Sequence, residues 1–221
     1  MEIFMIPKAI IFDLDGTLMH TLPDIHASVN AMLSREGYPL REYEHTVYGL
    51  NKGARYLIAH ALPDGASDSD IDRALATYSE EYALHCADSS EPFDGTDEMI
   101  LDLLAAEYRL AVLSNKPDEF TKKLTSEAFG NSFDPVLGQG KYKTKPSPEA
   151  PLAIAAGWGL TPDEVVFVGD SDIDMMTAKA AGMRAVGVEW GYRDPSLLLE
   201  AGAEKLAKTP AELFKIIKSL T

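Results

Sequence analysis

The sequence predicts an α/β fold: a parallel sheet covered by helices on both faces, with a helical block inserted behind the first strand. Three observations predict it. The stretch KAIIFDLDGTL, residues 8–18, is a short apolar run that closes on two carboxylates and a Gly-Thr turn, the pattern of a strand buried on both faces. Residues 19–91 carry apolar side chains at helical spacing and no strand pattern. From Pro92 onward, short apolar runs alternate with helical segments, which is how a parallel sheet with crossover helices reads.

Ala9 to Phe12 form the first expected strand, and Asp13 and Asp15 follow it, at the sheet edge where open α/β folds bind ligands. Helices are then expected over 23–36, with Ile25, Val29, Met32 and Leu33 on one face, over 52–62 and over 69–87. Asp68, Ser69 and Asp70 offer N-cap chemistry ahead of the third. Gly37-Tyr38-Pro39 and Pro63-Asp64-Gly65 separate the helices. Next come a helix over 97–108, a strand over 110–113 running into Ser114-Asn115-Lys116-Pro117, and a helix over 118–129. A short strand over 135–137, a loop over 138–146 and a helix over 147–158 follow. A strand over 165–168 ends in Gly169-Asp170, and a helix over 172–181 stops at Gly182. A strand over 185–188 and a helix over 210–218 complete the pattern.

A lone strand is not stable, so the first strand must join the later ones. The chain therefore divides into a sheet domain of residues 1–18 and 92–221 and an inserted helical domain of residues 19–91. Because the insertion leaves just after the two acids, it is expected to sit over them as a lid.

The net charge of −15 argues against nucleic acid and against anionic membranes as partners, since both need a basic footprint. An anionic substrate would need a metal or placed lysines against that field. With one cysteine, Cys86, no internal disulfide and no cysteine-rich zinc site can form; Cys86 reads as a buried structural thiol. The opening MEIFMIPKAIIF is not the pattern of a signal peptide, because Pro7 and Lys8 split its apolar run. A cytoplasmic location is expected, as a monomer or homodimer.

Four polar signals fall at strand ends or in the loops between them: Asp13 with Asp15, Ser114 with Asn115, Lys145, and Asp170 with Asp172 and Asp174. In a parallel sheet the strand ends share an edge, so these groups converge. Crowded carboxylates repel and shift one another's pKa values, and a hard divalent cation such as Mg²⁺ relieves that in an all-oxygen site. A lysine and a hydroxyl beside it suit an anionic, oxygen-rich group, phosphate first. Lys141 and Lys143 compete with Lys145 for this role. Asp172 reads as N-cap material. The five histidines show no ligand spacing, although His20 lies at the hinge and could face a substrate. Trp158 and Trp190 read as packing residues, and Tyr192 with Arg193 as a solvated loop that could approach the site mouth.

FDLDGTL, LAVLSNK, KPSPE and VGDSDIDMMTAKAAG, in this order, resemble the four motifs of the haloacid dehalogenase superfamily. Beside them, LPDIHASVNAMLSREGYP, YGLNKGARYLIAHAL and VEWGYRDPSLLLEAGAE resemble its phosphoglycolate phosphatase branch. The resemblance implies a Rossmann-like three-layer core with a smaller all-helical cap domain. It also implies an Mg²⁺-dependent phosphomonoesterase acting on 2-phosphoglycolate or a similar small phosphorylated metabolite. Asp13 would be the nucleophile that forms an aspartyl-phosphate, and Asp15 the general acid and base. Mg²⁺ would rest on Asp13, the Asp15 carbonyl and Asp170, with Asp174 behind them. Ser114 and Lys145 would hold the phosphoryl oxygens, with Asn115, Gly16 and Thr17 contributing. In the cap, Lys52 and Arg55, beside Gly49 and Gly53, resemble the family's substrate loop. A β-phosphoglucomutase-like phosphoryl transferase or a pyrophosphatase of the same superfamily is the alternative, and a phosphate sensor on the same scaffold is the non-enzymatic one.

Overall fold

The structure, a computed structural model, describes residues 7–220. The first half of the opening stretch, MEIFMI, lies outside the described residues. Among those described, six strands form one sheet: β1 (Ala9–Phe12), β4 (Arg109–Pro117), β5 (Val136–Gln139), β6 (Val165–Gly169), β7 (Arg184–Val188) and β8 (Lys205–Ala207). Their order is β5-β4-β1-β6-β7-β8, and every pairing is parallel. β1 is central: Ile11 pairs with Ala111 of β4 on one side and with Phe167 of β6 on the other. From β1 the chain builds outward through β4 and β5, then crosses back to β6 and builds the other way. That reversal opens a crevice at the carboxyl ends of β1, β4 and β6.

The pleat of β1 supplies both cores. Ile10 and Phe12 face Met99, Leu103, Leu124, Leu213 and Ile217, on α5 (Thr96–Ala105), α6 (Asp118–Phe129) and α10 (Pro210–Ser219). Ala9 and Ile11 face Ile154, Met175, Ala178 and Leu198, on α7 (Glu149–Trp158), α8 (Asp172–Ala181) and α9 (Pro195–Ala201). The expectation had neither α9 nor β8. Both are short, and a three-residue strand leaves no periodicity to read.

The insertion is helical: α1 (Leu22–Arg35), α2 (Tyr43–Gly49), α3 (Ala54–Ala61) and α4 (Asp68–His85). It is not wholly free of strand, because β2 (Met19–His20) pairs antiparallel with β3 (Glu91–Pro92) where the chain leaves and returns. The short α2 is also absent from the expectation. The N-cap of α4 is Ser67, reciprocally bonded with Asp70, rather than the acids that follow it; the smaller hydroxyl reaches the third amide. The insertion has its own apolar cluster, including Ile25, Val29, Ile58, Tyr78 and Tyr82, and Phe120 of α6 completes it. The Tyr82 and Phe120 rings meet edge to face at 5.0 Å. Cys86 caps α4 and is buried.

Asp24 ties the two ends of the insertion together. Its buried carboxylate accepts from the Ser89 and Ser90 amides and from the Ser90 hydroxyl. We expect Asp24→Leu to destabilise the protein by about 2–3 kcal/mol in urea unfolding, because it removes the buried carboxylate that two amides and a hydroxyl share. A change below about 1 kcal/mol would show that water replaces the carboxylate.

Candidate active site

Asp13 continues β1 by one residue, its amide donating to Val168 O (2.9 Å). The chain then turns tightly. Gly16 adopts φ +86°, and a Cβ there would fall 2.3 Å from Asp170 Oδ2, so only glycine fits. The turn closes on itself: the Gly16 amide donates to Met19 O and the Thr17 amide to Leu14 O. Both amides are therefore engaged within the loop, which corrects the expectation that they face a phosphate. Thr17 acts instead through its hydroxyl, which donates to Asp170 Oδ1 (3.3 Å).

β6 delivers Asp170, and α8 delivers Asp174 one turn on. The N-cap of α8 is Ser171, not Asp172, and Asp174 is its capping-box partner. Asp174 Oδ2 accepts from the Ser171 hydroxyl, while Oδ1 accepts from Lys145 Nζ (2.6 Å). The same ammonium lies 2.7 Å from Asp13 Oδ1, as an ion pair outside hydrogen-bond geometry. Lys145 is thus the lysine of its loop that reaches the acids. Lys143 pairs with Glu149 on the surface, and Lys141 lies over the Tyr142 ring.

β4 runs four residues further than expected, through Pro117, carrying Ser114, Asn115 and Lys116 into the crevice. Ser114 lines the cleft. Asn115 works as a clamp: Oδ1 accepts from the Lys145 amide, and Nδ2 donates to Lys145 O and to Asn51 O. With its side chain so engaged, Asn115 positions the Lys145 loop and the α2–α3 loop rather than offering a donor to phosphate.

Asp15 faces the insertion. Its Oδ1 accepts from Lys116 Nζ (2.6 Å) and from the Thr21 hydroxyl. Lys116 and Thr21 were not among the expected site residues. Ser114 and Lys116 are two apart on an extended strand and so share a face; reading the strand past Leu113 would have found Lys116.

Lys52 and Arg55 are not brought to this cleft. Arg55 pairs with Asp68 and Asp72 on the exposed face of the insertion. Lys52 is exposed, its ammonium 4.7 Å from the Tyr56 ring centroid. Acids at the start of α4 capture the arginine locally. The loop instead presents Gly49, Leu50, Asn51 and Gly53 to the cleft. His20 packs on Phe93 and Tyr192 at the hinge rather than in the cleft. Tyr192 is no solvated loop residue: its amide donates to Asp170 Oδ2 (2.8 Å), and its hydroxyl accepts from the Thr21 and Leu22 amides. Trp190 Nε1 donates to Thr17 O.

Asp13, Asp170 and Asp174 are buried, and each offers a carboxylate oxygen within 4.8 Å of the others. Burial, then the Asp174 charge, raises the Asp13 carboxyl well above its usual range, and Lys145 only partly offsets this. The same two causes push Asp170 up to about 7. Burial alone would lower the Lys145 pKa, but the Asp13 and Asp174 charges outweigh it and raise it. Three carboxylates against one ammonium leave an excess of negative charge in an all-oxygen site. That donor set fits a hard divalent cation. Asp174 has both oxygens engaged by Lys145 and Ser171, so it suits the outer position the sequence suggested for it.

No helix among the described residues is long and apolar enough to cross a membrane. The chain is 32% identical over 210 residues to a phosphoglycolate phosphatase of Pseudomonas putida, a match covering 88% of this chain and 77% of that one. It is 29% identical over 213 residues to an N-acetylmuramic acid 6-phosphate phosphatase of Pseudomonas aeruginosa, covering 95% and 94%. A crystal structure from Lactobacillus delbrueckii, assigned provisionally to phosphoglycolate phosphatase, superposes with a TM-score of 0.90 at 28% identity, covering 96% and 99%. The family model of haloacid dehalogenase-like hydrolases matches residues 10–188; with the parallel sheet, the inserted helices and the acids at the end of β1, the chain belongs to that family, on its phosphoglycolate phosphatase-like branch.

Proposed function

We propose that this protein is an Mg²⁺-dependent phosphomonoesterase that works through an aspartyl-phosphate on Asp13, with 2-phosphoglycolate or a similarly small phosphorylated acid as substrate. The observation that carries the reading is the convergence of Asp13, Lys145 and Asp170 in one buried crevice, with Asp15 at its mouth. The proposal includes the division into a core of residues 1–18 and 92–221 and a cap of residues 19–91, in a cytoplasmic monomer or homodimer.

An Asp13 oxygen attacks phosphorus as the bond from phosphorus to the leaving oxygen breaks, and Asp15 gives that oxygen its proton. Asp15 then takes a proton from water, whose oxygen attacks the aspartyl-phosphate; the Asp13–phosphorus bond breaks and inorganic phosphate leaves. Lys116 and Thr21 bind one Asp15 oxygen, which leaves the other for proton transfer. Ser114 and Lys145 face the phosphoryl oxygens as charge shifts between them. Asp13, Asp170 and the Asp15 carbonyl would hold Mg²⁺, whose charge when bound offsets that of the phosphoryl group.

The cleft beneath the cap measures about 40 Å³, room for roughly three waters. A small leaving group therefore fits with less outward movement of the cap than a sugar. The test is phosphate release from a panel of phosphomonoesters with Mg²⁺ and then with EDTA. Phosphoglycolate is expected to give the highest kcat/KM. Turnover of sugar phosphates but not phosphoglycolate would move the substrate assignment, and dependence on glucose 1,6-bisphosphate would mark a mutase. Absence of metal-dependent turnover on every ester would end the hydrolase reading.

A further inference from the structure

The cleft contains two cations among the described residues, Lys145 and Lys116. Lys145 is committed to Asp13 and Asp174. Lys116 is only 8% exposed and has one carboxylate partner, Asp15. Its ammonium sits 4.9 Å from the Tyr82 ring centroid, at the seam between sheet and insertion. An ammonium has three N–H donors, so a single Asp15 oxygen leaves capacity for a second anion. Across the same cleft, Asn51 Nδ2 is buried and has no hydrogen-bond partner among the described residues. The residue holds φ +74°, unusual outside glycine, and Asn115 pins its carbonyl. A buried donor without a partner carries a desolvation penalty that an incoming acceptor would remove.

We propose that Lys116 and Asn51 form an anion subsite for a carboxylate borne on the carbon next to the leaving oxygen, Lys116 supplying charge and Asn51 an amide N–H. This rests on the phosphomonoesterase reading and places substrate selection on a core strand and a cap loop, not on Lys52 or Arg55. The position follows from Asp15. The group that protonates the leaving oxygen is bonded to Lys116 at 2.6 Å, so the lysine stands one group away from that oxygen. In glycolate the carboxylate is attached to the carbon bearing that oxygen. A sugar would bring hydroxyls there and leave the ammonium without a second anion. The remaining wall, Ile25, Leu50, Leu57 and Tyr78, offers little else to bind a charge.

The test compares kcat/KM for phosphoglycolate with that for 2-hydroxyethyl phosphate, which replaces the carboxylate by a neutral group of similar length. The wild-type protein should prefer phosphoglycolate by about 100-fold, the scale of a charged hydrogen-bonded contact. In Lys116→Met both rates fall, because Asp15 loses a partner, but the preference should collapse to within a few-fold of unity. Lys116→Arg should keep most of it. Asn51→Asp, which sets a like charge in the subsite, should lower the preference by about 10-fold or more, and it carries the test alone if Lys116→Met does not fold. A wild-type preference near unity overturns the subsite. So does a preference unchanged in Lys116→Met and Asn51→Asp, which would confine Lys116 to positioning Asp15. Failure of the hydrolase reading looks different: the wild-type protein then releases no phosphate from either ester, as does Asp13→Asn.

Discussion

Asp13→Asn should lower phosphate release by at least about 10⁴-fold, as expected when a nucleophile is removed from a site that works as a unit, while making the metal-free protein no less stable. The two expectations have one cause. Asp13 is buried with Asp170 and Asp174 against a single ammonium, and burial and Asp174 hold its carboxyl well above the ordinary range. A carboxyl whose pKa rises on folding is destabilised in its charged form. An amide of the same shape removes that repulsion along with the proposed nucleophile. Phosphate release and thermal melting in EDTA at pH 8 measure the two sides. Activity within about 10-fold of wild type would place the nucleophile elsewhere, and a large drop in melting temperature would show that Asp13 pairs with Lys145 more than it repels the acids.

The second large effect is on pH and metal. Asp170 is held at about 7 in the folded protein, against about 3.9 in an unfolded chain. Between those values the folded state binds more protons than the unfolded state, so stability falls as pH rises. The contribution is complete below about pH 4 and is lost as pH passes 7, on the order of 4 kcal/mol in all. Protonated Asp170 resists acid, and ionised Asp170 invites a cation. In EDTA the melting temperature should therefore fall between pH 5 and pH 8. Added Mg²⁺ should restore it at pH 8 and change it little at pH 5, where protons compete for the same oxygens. Asp170→Asn should reduce the pH dependence, leaving the part that the raised Asp13 carboxyl contributes, and abolish the Mg²⁺ shift. Equal Mg²⁺ shifts at pH 5 and pH 8 would contradict this account.

Much of the molecule was legible from residue order. α6 and α8 were expected with the bounds they have, and a glycine, Gly130 or Gly182, stops each of them. The strands β1, β6 and β7 were legible because a buried parallel strand is a continuous apolar run. What escaped was short or apolar by halves. β2 and β3 have two residues each, below any period. The end of β4 reads as polar loop, since Ser114, Asn115 and Lys116 interrupt the apolar run although the backbone stays extended. Lys116 escapes a reading of the sequence for that reason, whereas Lys52 and Arg55 stand in a loop that resembles the family's substrate loop.

Residue order alone determined which acids stand at strand ends, and therefore that Asp13, Asp15 and Asp170 would meet wherever the sheet was parallel. The tertiary structure decided what each polar group does once there. It turned the Gly16 and Thr17 amides inward, engaged Asn115 as a clamp, spent Arg55 on Asp68 and Asp72, and set Lys116 beside Asp15 across 101 residues of chain. Strand periodicity is a property of neighbours in sequence, which a single chain displays. The partner of a buried charge is fixed by which group lies within a few ångströms after folding, and that distance is set by packing.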